Sequence, residues 1–128
     1  MRRQALAIVF GILAAQVPAR AQRDEGFLVV VNASNPATSI SREQLSQIFL
    51  KRVERWPNGA PVDPIDLAPS APPRVAFTTA IHHKAVRAVR TFWQQQIYSG
   101  RDVPPPEKET EQDVIAYVRS HPGAVGYV

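Results

Sequence analysis

Apolar residues along this chain come in short runs separated by proline, glycine and charge, and their spacing alternates between strand and helix. Leu28, Val29, Val30 and Val31 form an unbroken aliphatic run, the pattern of a strand covered on both faces in an α/β protein. Asn35-Pro36 ends it, because the residue before a proline is steered away from helical geometry. Ser41, with Gln44 three residues on, fits a capping box: the Ser41 hydroxyl accepts from the Gln44 amide, and the Gln44 side chain reaches back to the Ser41 amide. Leu45, Ile48 and Phe49 follow at helical spacing and give that helix an apolar face. Asn58-Gly59, just after Trp56, is a turn signal. Residues 62–67 read as a short strand, in which Val62, Ile65 and Leu67 alternate imperfectly around Asp63, Pro64 and Asp66. Pro64 makes it an edge strand or a very short one.

The second half is dominated by helical spacing. Residues 68–73 are proline-rich and read as a loop entering a helix, since proline is tolerated in a first helical turn. Phe77 and Ile81 share a face of that helix over residues 75–81, and His82, His83 and Lys84 interrupt or bend it. Residues 85–98 give a clearer helix, with Val86, Val89, Trp93 and Ile97 on the inward face. Gly100 suits a left-handed C-cap. Residues 101–108 contain Pro104, Pro105 and Pro106 and can only be extended. Thr110 caps a last helix running through Ser120, with Asp113 near its positive end and Val114, Ile115 and Val118 facing inward. Pro122 and Gly123 stop it, and residues 124–128 form a final strand. The order β-α-β-α-α-α-β, without an internal repeat, describes a small α/β lobe.

The N-terminus adds an address. Arg2 and Arg3 precede an apolar stretch over residues 5–15 that is too short to span a bilayer comfortably, and Ala19 and Ala21 stand where a signal peptidase reads small residues. The expected organisation is a signal peptide over residues 1–21, cleaved after Ala21, and one exported domain over residues 22–128, periplasmic or secreted and off the membrane once the signal is removed. An uncleaved anchor is the alternative, and Gln16 and Pro18 argue against it by cutting the apolar run short. Arg2, Arg3 and Arg20 are three of the fifteen basic residues, so the remainder carries twelve basic against eleven acidic side chains, a formal charge of +1 instead of +4. Neither that balance nor any Lys/Arg stripe with interleaved aromatics supports a nucleic-acid partner. With no cysteine, the exported domain has neither disulfides nor a bacterial lipid anchor to rely on. Its 107 residues suffice for one core and not two.

The chain carries no visible catalytic set. A Gly-x-Ser-x-Gly elbow, a cysteine nucleophile and a phosphate-loop signature are all missing from the sequence, so the expectation is a protein that is not an enzyme and needs no cofactor. His82 and His83 are adjacent and point apart on a helix, and His121 does not complete a metal-ligating spacing; no metal site is expected. Glu107, Glu109, Glu111 and Asp113 read as charges solvating a loop and a helix start. Trp56 and Trp93 read as core or rim aromatics, and Lys51, Arg52 and Arg55 as either a basic patch or a solvated turn.

The run from Leu28 to Trp56 resembles the periplasmic phosphate-binding proteins of ABC importers. In that family a valine-rich strand and an Asn-Pro turn lead into Ser-Leu-x-x-Glu-Gln-Leu-x-x-Ile-Phe, a short basic turn and a Trp. The matching residues here are Val29, Val30, Val31, Asn35, Pro36, Ser39, Ile40, Glu43, Gln44, Leu45, Ile48, Phe49 and Trp56. Gly123, Ala124, Val125, Gly126 and Tyr127 look like the family's Gly-Ala-Ile-Gly-Tyr strand. With Arg74 and Phe77 the likeness spans most of residues 28–128. It implies one lobe of a type-2 periplasmic binding fold, a small mixed sheet flanked by helices. Relatives usually continue beyond the Gly-Tyr strand, so this chain reads as a short natural form or a truncated reading frame.

The same resemblance implies an anion site at helix N-termini, where unpaired amides and the helix dipole favour negative charge. Ser39, Ser41, Ser70 and Arg74 are the candidate ligand-binding residues. The family's second site reads Gly-Ser-Gly-Thr-Arg; an ungapped match on Arg74 and Phe77 sets Ser70 on the first Gly, Ala71 on the ligand Ser, and Pro72 and Pro73 on Gly and Thr. Ala71 has no hydroxyl, and each proline removes an amide donor. Leu67 and Pro69 fall on the Arg and Asp that precede the family's motif. A slip by one residue brings Ser70 onto the ligand Ser and displaces Arg74. Ser70 and Arg74 therefore read either as a weakened oxyanion contact or, preferably, as a helix cap and a side chain on a solvated face, and Ser41 reads as a cap first. The function implied is that of a non-catalytic solute-binding-like protein taking phosphate or another small oxyanion weakly, with an ABC permease or a sensor protein as partner. The alternative is a periplasmic interaction or sensory adaptor module that binds a protein instead of an anion.

Overall fold

The computed structural model describes residues 6–9, 25–37 and 39–128. The signal peptide expected over residues 1–21 lies outside the described residues except for strand β1, Leu6–Val9, and its cleavage point after Ala21 lies outside them. The remaining elements are β2 (Val29–Asn32), α1 (Arg42–Phe49), β3 (Asp63–Pro64), β4 (Asp66–Leu67), α2 (Pro72–Phe77) running into a π-helical turn (Thr78–His82), α3 (Val86–Tyr98), β5 (Glu107–Lys108), α4 (Glu111–Ser120) and β6 (Ala124–Tyr127). This is a mixed α/β lobe. One sheet has the strand order β1-β2-β6-β3, antiparallel except that β3 runs parallel to β6, and β4 pairs with β5 in a separate parallel ladder. No helix among the described residues is long and apolar enough to cross a membrane.

The strand read over residues 62–67 divides its pairing. The Asp63 and Ile65 amides donate to the Gly123 and Val125 carbonyls at 3.0 and 2.9 Å, and the Asp66 and Ala68 amides donate to Pro106 and Lys108 at 2.9 Å each. The chain thus turns from β6 to β5 within five residues. Pro64 fits because alternate amides of a strand point to opposite edges, and its missing N–H falls on the edge away from β6.

Helix starts follow local chemistry. Both halves of the α1 capping box are formed, with the Gln44 amide donating to Ser41 Oγ at 3.0 Å and the Ser41 amide to Gln44 Oε1 at 2.9 Å. Thr110 caps α4 by accepting from the Asp113 amide at 3.0 Å. At α2 the reading of Ser70 as a cap is corrected: the N-cap is Ala71, which has no side-chain acceptor, and Pro72 and Pro73 open the helix. Prolines can do this because first-turn amides have no intrahelical partner to lose. The π turn ends at His83, whose φ of 57° is left-handed, so the break expected around His82, His83 and Lys84 is present. Ile97 was expected to face inward with Val89 and Trp93. It is 52% exposed instead, because the end of α3 faces the proline segment across an open depression.

Two close approaches fix the layers. The Phe77 ring stacks on Tyr127 with centroids 4.0 Å apart, and Phe49 and Phe27 meet Phe77 edge-on at 4.9 and 5.5 Å; this cluster joins α1, α2 and β6 in the core. On the other face α4 lies so near β6 that a Cβ at Gly126 would stand 2.7 Å from Val114 Cγ1. Asn32, at the end of β2, then donates from Nδ2 to the Val118 and Arg119 carbonyls at 2.8 and 3.0 Å, satisfying last-turn acceptors of α4 that no helical amide can reach. Gly126→Ala is expected to lower stability by about 1–3 kcal/mol, because a valine on a helix has little rotamer freedom with which to yield. Urea melts of Gly126→Ala, Val114→Ala and the double variant should show a double-mutant cost below the sum of the single ones.

Candidate functional site

The polar residues that converge in this lobe lie between β4, β5, α2 and α3. At the centre is Arg74, only 3% exposed. Its Nη1 donates to the Leu67 carbonyl at 2.6 Å and to Glu107 Oε2 at 3.0 Å, and its Nε lies 3.9 Å from Asp66 Oδ1. The Tyr127 hydroxyl donates to the same Asp66 oxygen at 2.6 Å and accepts from the Leu67 amide at 3.3 Å. Glu107 also faces Arg90, whose Nη1 is 3.6 Å away. The reading of Arg74 as a solvated side chain is thereby corrected. So is the reading of Glu107 as a merely solvating charge.

The reason Arg74 turns inward is local. One turn into α2, it projects back towards the helix start, over the end of β4 where the Leu67 carbonyl and Asp66 wait. Burial works against its charge, but Asp66, Tyr127 and Glu107 outweigh that and hold the guanidinium above its ordinary pKa. Asp66 moves the other way from most paired carboxylates. Burial pushes it from 3.8 up to about 6, against the lowering pull of Arg74 and of the Tyr127 hydroxyl. His82, at the end of the π turn, is pushed down from 6.5 to about 4, first by burial and then by Arg74, Lys84 and His83; its Nδ1 lies 2.8 Å from Ser46 Oγ.

The four residues implied by the resemblance are not gathered in one place. Ser39 is exposed before α1 and lines an apolar depression of about 390 Å³ with Ile40, Ile48, Val53 and Trp56. The Ser41 hydroxyl is committed to its capping box. Ser70 is exposed in the turn before α2. Arg74 lines a different depression, of about 480 Å³, together with Asp66, Arg90, Trp93 and Glu107. Sequence reasoning missed Asp66, Arg90 and Glu107. Asp66 had a signal, as a charge set between Ile65 and Leu67 in a strand. Glu107 had none, because its partners are 33 and 17 residues away.

Residues 23–128 match the model of the PBP superfamily domain. The chain belongs to the PBP superfamily. No curated protein matches it. PBP-like domains are in general binding, non-catalytic proteins and typically periplasmic. In this PBP-like lobe the polar cluster offers a binder's equipment, charged donors and acceptors at the base of a concave surface beside an apolar wall.

Two predictions follow from the charges. Arg74→Ala should cost about 3–5 kcal/mol in urea unfolding, because it leaves the buried Asp66 without its cation and Glu107 with only the half-exposed Arg90. The second concerns pH. Between 3.8 and about 6 the folded chain keeps a proton on Asp66 that the unfolded chain has released, so this group's contribution is full below 3.8 and is lost as pH rises to 6. Between about 4 and 6.5 the folded chain lacks a proton on His82 that the unfolded chain holds, so that contribution is full above 6.5 and is lost as pH falls to 4. Each is worth on the order of 3 kcal/mol, and they oppose each other. Asp66→Asn should unmask a stability that climbs from pH 4 to 6.5, and His82→Gln one that declines over pH 4 to 6, both read from urea midpoints.

Proposed function

We propose that this chain is an exported, non-catalytic solute-binding-like protein, similar to one lobe of the phosphate importer's receptor, with a weakened oxyanion site. The observation that carries the reading is the start of α2. Ala71 brings no hydroxyl, Pro72 and Pro73 bring no amides, and the guanidinium of Arg74 is already engaged by Asp66, Glu107 and the Leu67 carbonyl. An oxyanion arriving there meets a cation already balanced by two carboxylates. Ser39 and Ser70 remain open to solvent and can each add a hydroxyl contact. Export rests on the signal sequence over residues 1–21, and the product would begin at Gln22 in the periplasm or medium; the intact mass of the exported protein tests this. An ABC permease or a sensor protein would be the partner receiving the ligand-bound lobe.

Titration calorimetry with inorganic phosphate should return a dissociation constant no tighter than about 1 mM, near 4 kcal/mol of binding free energy. A micromolar constant would overturn the weakened site. A second reading, a periplasmic interaction or sensory adaptor, has its own support: Ile97, Tyr98 and Val103 are 52%, 95% and 56% exposed around the end of α3, more apolar side chain than a solvated helix end requires. Thermal shift separates the two. A ligand binder is stabilised by small oxyanions, whereas an adaptor is indifferent to them and elutes with its partner on gel filtration.

A further inference from the structure

The two outer strands of the larger sheet differ in kind. At one side β3 is two residues long and contains Pro64, both devices that keep a sheet edge from adding strands. At the other side β1 covers β2, whose residues Val29, Val30, Val31 and Asn32 include no charge and no proline. Backbone alternation fixes what β1 covers. Leu28 and Val128 exchange reciprocal backbone bonds of 2.7 and 2.9 Å, which assigns the peptide groups of Leu28 and Val30 to the β6 side. Those of Val29 and Val31 therefore point the other way, where they meet Val9 and Ala7 of β1. Helix α4 packs against β1 as well as β2, so a strand seated on this edge also lies against that helix.

We propose that, once β1 is removed with the leader, the edge of β2 is a self-association site whose occupant is β2 of a second copy of this chain; the removal itself rests on the export proposed for the chain. The strand is its own complement. With two copies run antiparallel about Val30, Val29 of one falls opposite Val31 of the other, so the peptide groups that β1 had covered are the ones that meet. Each Val29–Val31 pair can exchange both N–H···O bonds. Beyond the strand, Phe27 falls opposite Ala33 and Glu25 opposite Asn35, so no like charges meet. The two sheets become one, ordered β3-β6-β2-β2-β6-β3, with a two-fold axis between the central strands. Such a pairing covers both open edges at once and stops at two copies. In the unprocessed chain β1 is tethered to the edge it covers, and its effective concentration there exceeds that of any second copy. β1 thus holds the precursor as a monomer.

Light scattering after gel filtration on three proteins tests this: the full chain, the full chain carrying Ala7→Pro and Val9→Pro, and the processed protein recovered after export, with its intact mass. The two prolines remove the β1 amides that face β2 and leave residues 22–128 unaltered. The full chain should be monomeric, and the other two should be half dimeric at or below about 100 µM. Val31→Pro added to the proline variant should raise that concentration at least about tenfold, since it deletes an edge donor and no bond to β6. Amide hydrogen exchange reads the same edge with β2 unaltered. In the proline variant Val29 and Val31 should gain at least about tenfold protection from dilute to concentrated samples, while Leu28 and Val30 stay protected in both. An intact mass that begins at Met1 overturns the export reading, and the proline variant still decides the edge. The pairing is overturned by a proline variant that stays monomeric to about 1 mM, by exchange at Val29 and Val31 that ignores concentration, or by a full chain that dimerises equally well. It is also overturned by a processed chain that grows beyond two copies, or that co-elutes with a different protein protecting these two amides.

Discussion

A buried arginine organises this lobe. Arg74 leaves α2, crosses the end of β4 and reaches β5, so that one side chain ties together three elements whose own ladders are only two residues long in the case of β4 and β5. Two-residue strands cannot hold their register by backbone pairing alone. Placing a guanidinium between Asp66 and Glu107, with Tyr127 bonded to Asp66, gives the β4–β5 junction a directional anchor that no aliphatic side chain could supply. The cost is desolvation, and it is visible in Asp66, whose carboxyl is pushed up to about 6 by burial. Buried ion pairs seldom add net stability over apolar packing. The gain here is geometric: the segment after Leu67 is held where the resemblance places a ligand-binding turn, and the arginine that could have faced a ligand is spent holding it.

That commitment separates structure from binding. A turn offering amides and hydroxyls would bring a net positive field to its cleft, whereas here positive and negative side chains are matched in number around the depression. A matched set attracts neither anions nor cations from a distance.

The parts of the fold that depend on neighbours in sequence were legible; the parts that depend on distant partners were not. Ser41 with Gln44, Thr110 with Asp113, and Gly100 beyond α3 act within four residues, and each was readable from residue type and spacing. The divided pairing of residues 63–67 was half legible: Pro64 announced a short strand, but nothing local states that Asp66 leaves β6 for β5. Arg74 was misread because one arginine in the first turns of a short helix has the same local pattern whether it faces water or a carboxylate. Its partners at residues 66 and 107 become apparent only once β5 is beside β4. Ile97 illustrates the converse. Its spacing after Val89 and Trp93 is regular, yet inward spacing buries a residue only where another element covers it, and the three prolines that follow α3 keep the next segment extended.

The relation between β1 and the matched domain follows from the same accounting. β1 pairs with the outer edge of β2 over four residues, yet the family match begins at residue 23, downstream of it. On its other edge β2 is held by β6 in register, with Val29 opposite Tyr127 and Val31 opposite Val125, and the pairing extends through reciprocal Leu28 and Val128 backbone bonds of 2.7 and 2.9 Å. Asn32 adds its grip on the end of α4. Contacts of β2 with α4 and β6 thus arise within residues 23–128, and β1 adds its own contacts to β2 and α4. Without β1, a row of β2 backbone groups would lie uncovered at the sheet edge. An uncovered edge of aliphatic sequence is prone to pairing with another strand, so the state of this edge depends on whether β1 covers it.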